Sequence, residues 1–132
     1  MYKPGYFIAK LEEENAELRE AYKNAVWSGG ASDELYYLGY IFRYNKYDFF
    51  KMRQCWYRAV DLGNVNAMFE LAKYYFEIEH NYREALRYLK MAPKNDTGCL
   101  TLMKHVEKAL ENDKYYNWTN YFKNRFYDII GY

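Results

Sequence analysis

Apolar side chains in this chain recur at helical spacing. Leu35, Leu38, Gly39 and Phe42 fall at i, i+3, i+4 and i+7, which is one stripe of an α-helix. Met52, Trp56, Ala59 and Val60 make a second stripe. Met68, Leu71, Ala72 and Tyr75 make a third, and Ala85, Leu89 and Ala92 a fourth. Punctuation between the stripes agrees with helix ends. Ser32 and Asn64 precede helices as candidate N-caps, and Asn81 followed by Glu84 has the pattern of a capping box. Gly29 and Gly63 stand where helices should close, because glycine takes the left-handed cap without strain. Pro93 stops the fourth stripe. The pattern predicts seven helices, near 7–28, 32–44, 48–62, 65–79, 82–92, 97–112 and 114–130. The joins are short, so consecutive helices should run antiparallel.

The stripes also repeat. Ala25, Val26 and Gly29 match Ala59, Val60 and Gly63 at i+34. Leu35, Leu38, Gly39 and Phe42 match Met68, Leu71, Ala72 and Tyr75 at i+33, and Met52, Trp56 and Ala59 match Ala85, Leu89 and Ala92 at the same offset. A period of this length is the mark of stacked helix pairs. One pair is too small to bury its own apolar stripe, so neighbours must share a core.

The residues that carry the repeat resemble a known family. Leu38-Gly39 with Phe42, then Trp56-Tyr57-Arg58-Ala59-Val60-Asp61-Leu62-Gly63-Asn64, resembles a Sel1-like repeat. The second copy, Ala67 to Tyr75 and Ala85 to Ala92, is similar both to that family and to the related tetratricopeptide repeat. The resemblance implies an all-α fold, a short right-handed α-solenoid of antiparallel helix pairs forming one domain. Within it, 1–30 would be an N-terminal capping half-repeat, 31–64 and 65–95 two repeats, and 96–132 a degenerate repeat with a C-terminal cap. In that last segment Cys99 and Met103 hold the Ala and Leu positions, but Lys104 replaces the small residue and should prevent close helix approach.

The same resemblance implies a ligand face lined by the first helix of each pair. The residues on that face are Asp33, Tyr36, Tyr37, Tyr40, Arg43 and Tyr44 in the first pair, and Asn66, Phe69, Glu70, Lys73, Phe76 and Glu77 in the second. Thr101, His105 and Lys108 would follow in the third. Tyr36, Tyr40 and Tyr44 lie in one helical row, with Arg43 beside it. Tyrosine offers rigid area and a hydroxyl at low entropic cost, which suits recognition. The same rings could instead pack on neighbouring helices with wet hydroxyls. Trp118, Phe122 and Phe126 suit closure of the core, while Tyr121 and Tyr127 could serve a partner or a second copy.

Composition sharpens this picture at one point. The chain carries 18 tyrosines, eight phenylalanines and three tryptophans in 132 residues. Tyr, Asn, Lys, Phe and Ile together suit an AT-rich coding genome, such as that of some large DNA viruses or bacteria, so part of the excess needs no function. A hydrophobic fraction of 51% with 28% charged residues excludes a disordered tail. The net charge of +1 argues against a nucleic-acid binder stacking bases on the tyrosine row.

Candidate chemistry is sparse. There is no Gly-rich phosphate loop, no Cys-x-x-Cys, no His-Glu-x-x-His and no Gly-x-Ser-x-Gly. His80 and His105 are far apart and a metal site needs three or four convergent ligands. The run Glu12-Glu13-Glu14 reads as a solvated face. Cys55 and Cys99 are too few for a disulfide framework, and no signal peptide or membrane span is evident, which predicts a cytoplasmic setting. The sequence therefore predicts a non-catalytic, cofactor-free interaction module for a protein or peptide. The alternative is an assembly subunit that self-associates, as a homodimer, through its aromatic C-terminal helix.

Overall fold

The computed structural model describes the backbone of residues 4–129 and the side chains of residues 14–113. These residues form six α-helices and no strand: α1 (Pro4–Trp27), α2 (Ser32–Tyr44), α3 (Phe49–Asp61), α4 (Val65–Glu77), α5 (Tyr82–Met91) and α6 (Thr97–Ile129). The chain divides into two compact units, Met1–Ala67 and Met68–Tyr132, and the division falls inside α4.

The repeat seen in the sequence is reproduced in backbone detail. After α2, Asn45 and Lys46 donate to the Ile41 carbonyl at 2.9 and 3.1 Å, and Asp48 donates to Phe42 at 2.8 Å. After α4, Ile78 and Glu79 donate to Tyr74 at 2.9 and 3.3 Å, and Asn81 donates to Tyr75 at 2.9 Å. Each turn passes through one left-handed residue, Tyr47 at φ +53° and His80 at φ +52°. Each then starts the next helix with a side-chain cap. Asp48 accepts from the Lys51 N–H at 3.1 Å, and Asn81 accepts from the Glu84 N–H at 3.3 Å. Every member of the second turn stands at i+33 from its counterpart in the first. The i+34 echo is a duplicated C-cap. Gly29 and Gly63 both take φ +84°, and the following N–H groups, of Gly30 and Asn64, return to Ala25 and Ala59 at 2.9 Å.

In the first unit α2 and α3 pack as a hairpin around Trp56, which is fully buried. The indole lies against Gly39, where even a methyl group would overlap the ring, and its N–H donates to the Tyr36 carbonyl at 3.1 Å. The Leu38-Gly39 pair is thus a notch cut for the tryptophan of the next helix. α1 packs on both through Tyr22, Ala25 and Val26, with the Tyr22 ring edge-on to Phe42 at 5.5 Å. Asn64 is a buried polar group with two jobs. Its carbonyl oxygen accepts from the Ala67 N–H at 2.9 Å, and its amide donates to Asp33 at 3.3 Å. The N-cap of α2 is Ala31, with no side-chain bond, and Ser32 is the first helical residue.

In the second unit Met68, Leu71, Ala72 and Tyr74 of α4 are buried, as are Ala85, Tyr88 and Leu89 of α5 and Cys99 and Val106 of α6. Tyr74, rather than the expected Tyr75, goes fully inside, where its hydroxyl donates to Glu79. Tyr75 stays half-buried and stacks on Tyr88 at 5.8 Å with ring planes 4° apart. α5 ends at Met91, and Ala92 is extended as the residue before Pro93 must be.

The two helices expected at 97–112 and 114–130 are one continuous helix of 33 residues. Asn112-Asp113-Lys114 holds neither glycine nor proline, so nothing ends α6 there. Lys104, exposed on α6, occupies the place of Gly39 and Ala72 and offers no notch for a following helix. Of the run Glu12–Glu14 only Glu14 falls among the described side chains, and it is exposed. Trp118, Tyr121, Phe122, Phe126 and Tyr127 lie outside them.

Candidate interaction surface

The tyrosine row of α2 forms a chain of ring contacts. Tyr36 and Tyr37 lie 5.4 Å apart, Tyr36 and Tyr40 6.3 Å, and Tyr40 and Tyr44 4.6 Å. Tyr36 and Tyr44 are half-buried, whereas Tyr37 is 66% and Tyr40 44% exposed. Helix geometry accounts for part of the difference. Leu35, Leu38 and Phe42 turn inward, which leaves 36 on the flank and 37, 40 and 44 on the opposite side. Tyr44 is nevertheless half-buried, with the Tyr40 ring at 4.6 Å and the Arg43 guanidinium at 4.9 Å against it. The four rings therefore divide into two that pack and two that present apolar area with a hydroxyl.

Arg43, expected on the open face, is buried instead, with 8% of its surface exposed. It stands one turn after Gly39, at the edge of the inward stripe, and α3 opens with Phe49 beside it. Its guanidinium carbon sits 4.9 Å from the Tyr44 ring centre and 5.5 Å from that of Phe49, as a cation over two rings. Arg43 thus braces the α2–α3 turn. Asp33 is exposed but engaged by the Asn64 amide. On α4, Asn66 and Glu77 are exposed, while Phe69, Glu70, Lys73 and Phe76 are half-buried.

The sequence pattern did not mark other exposed apolar groups in the first unit. Tyr47, Trp27, Phe50 and Leu62 are each more than half exposed. For Phe50 a signal was present. Adjacent helical residues point about 100° apart, so Phe49 and Phe50 could not both face the core. Tyr47 is the left-handed residue of the α2–α3 turn.

Among the described residues no group of three or more His, Cys, Asp or Glu side chains converges as a metal site would require. Both cysteines are buried free thiols. Burial, with Asp48 nearby as the second cause, pushes Cys55 up to about 12, and burial with a hydrogen bond to Asp96 pushes Cys99 up to about 11. These thiols stay protonated at neutral pH and are poor nucleophiles. The shift has a stability consequence. Above the ordinary thiol value of 9.0 the unfolded chain releases the Cys55 proton while the folded chain keeps it. Stability that is complete below that pH should fall as pH rises, by about 1.4 kcal/mol per unit for one thiol. Thermal unfolding followed against pH should show a shallower alkaline decline for Cys55→Ala than for wild type. Parallel declines would mean that other groups carry it.

No protein-family model matches the chain, and searches of curated proteins and of solved structures give no match.

Proposed function

We propose that this chain is a non-catalytic protein–protein interaction module, a scaffold or adaptor of the Sel1-like or tetratricopeptide-like kind. Its helix pairs would stack as a short right-handed α-solenoid, and a peptide or protein surface would dock on the face made by the first helix of each pair. The duplicated turns at i+33 and the duplicated caps at i+34 support the repeat reading. The observation that carries the docking reading is the pair Tyr37 and Tyr40, exposed on a helix whose other side is locked by Trp56 and Leu35. A face fixed in advance loses little entropy on binding, so the cost falls mainly on ordering the partner. Asn66 and Glu77 would add polar contacts from α4, with Glu70 and Lys73 at its flank. Arg43 acts in this reading by holding Tyr44 in place. Two buried thiols suit a reducing, cytoplasmic setting, and no described helix is long and apolar enough to cross a membrane.

The Tyr37→Ala, Tyr40→Ala double variant tests the proposal. Both positions are exposed, so far-UV circular dichroism and the unfolding midpoint should match wild type. Capture of a partner from cell extract should drop severalfold, as expected when two aromatic anchors are removed. Full retention of the partner would sink the α2 face. Loss of the fold itself would show that the rings serve packing.

A second reading, self-association, is favoured by one observation. α6 continues as helix to Ile129, and the stretch beyond Asn112 includes Tyr115, Tyr116, Trp118, Tyr121, Phe122, Phe126 and Tyr127. Sedimentation of wild type beside a Trp118→Ala, Tyr121→Ala variant separates the readings. A dimer that survives those changes would count against the C-terminal interface.

A further inference from the structure

The second unit contains a cleft of about 410 Å³ between α4 and α6, lined by Phe76, Lys104, His105, Lys108, Ala109 and Asn112. Its polar lining is one-sided. Two ammonium groups, an imidazole and a carboxamide can all donate, and among the described residues no carboxylate lines the space. Lys104 and Lys108 stand one helical turn apart, where like charges repel. Neither forms an ion pair among the described residues, although Glu107 and Glu111 follow each of them by three positions. The basic groove of the first unit differs in this respect. There Lys46 donates to Asn15 at 3.0 Å, and Lys51 faces Asp48 at 3.9 Å beneath the Tyr22 and Phe42 rings.

We infer that the α4–α6 cleft is a binding site for an oxyanion, a phosphate or carboxylate group displayed on a partner peptide. An entering oxyanion relieves the repulsion between Lys104 and Lys108 by accepting charge-assisted hydrogen bonds from both. His105 and Asn112 supply further donors, matching the several acceptor oxygens of such a group. The Phe76 ring gives the adjoining carbon atoms an apolar wall. A peptide fits better than a nucleic acid, because among the described residues the cleft offers one ring and one cluster of cations rather than a track along a backbone. This deepens the docking reading by assigning partner chemistry on the second unit, and its test does not involve the tyrosines of α2.

Backbone amide resonances of the full chain would be followed during titration with inorganic phosphate and with acetate. A phosphoserine peptide, its unphosphorylated form, a glutamate-containing peptide and a short RNA oligomer follow as separate arms. Saturable shifts at Phe76, Lys104, His105 and Lys108 are expected with phosphate or with acetate. The phosphoserine and glutamate arms then distinguish the two sources of the oxyanion. Affinity should fall about tenfold or more in Lys104→Gln, Lys108→Gln, with unchanged helicity because both side chains are exposed. The Tyr37→Ala, Tyr40→Ala variant should bind the probe as wild type does, which separates failure here from failure of the α2 face. Shifts that are absent, survive the lysine changes, or appear equally at Lys90 and Lys94 would overturn the site. Tighter binding of the RNA oligomer than of either peptide would overturn the assignment to a peptide.

Discussion

Replacing Gly39 with alanine should destabilise the first unit by about 3 kcal/mol, although alanine is the better helix former. The added methyl enters the space held by the Trp56 indole. That ring has no exposed surface and its N–H is tied to the Tyr36 carbonyl at 3.1 Å, so it cannot slide aside without cost. Overpacking of this kind costs about 1–3 kcal/mol, and losing the indole hydrogen bond adds about 1 kcal/mol. The gain in helix propensity returns about 1 kcal/mol at most. Chemical unfolding followed by tryptophan fluorescence measures the difference. In the same experiment Trp56→Phe combined with Gly39→Ala should be less damaging than the sum of the single changes, because the smaller ring leaves room for the methyl. Strict additivity would show that the two positions do not share the notch.

Removal of the Asn64 side chain should be the next most damaging change, at about 2 kcal/mol for Asn64→Ala. Its oxygen caps α4 through the Ala67 N–H, which is buried and loses its partner when the cap is removed. Its amide also ties the start of α4 to Asp33 on α2. Asn64→Asp separates these roles. It keeps the cap acceptor but places a carboxylate 3.3 Å from the Asp33 oxygen in a buried position. The introduced carboxyl then has a raised pKa, since two like charges at that distance resist joint ionisation. Below the ordinary carboxylate range, about pH 4, the variant should recover stability relative to wild type, and it should lose that stability as pH rises. A difference in unfolding midpoint that does not change with pH would remove Asp33 from the account.

Much of the helical layout was legible because period and punctuation agreed. The bounds of α2 match the expected ones, and α3, α4 and α5 differ only at their ends. The duplicated left-handed turns at Tyr47 and His80 were less visible. Neither residue type announces a positive φ as glycine does, and only the register of the repeat places them at equivalent positions. The candidate surface was legible as a row and not as a set of exposures. Spacing put Tyr36, Tyr37, Tyr40 and Tyr44 on one side of α2, but it could not tell the exposed pair from the packed pair. Arg43 was misplaced for a related reason. A charged residue at the edge of a stripe is assumed to be wet, and the ring of Phe49 from the next helix lets it be buried.

Helical character, the repeat at i+33 and i+34, and the places where glycine, proline and capping side chains end most of the helices all follow from the amino-acid order alone. Those are local properties, set by period and backbone preference within a few residues. Packing between helices settled the rest: which tyrosines face solvent, that Gly39 is a seat for Trp56, and that Lys104 and Lys108 share a cleft with Phe76. Each of these depends on what a second helix places, or fails to place, against the first, and helical periodicity carries no information about the neighbour.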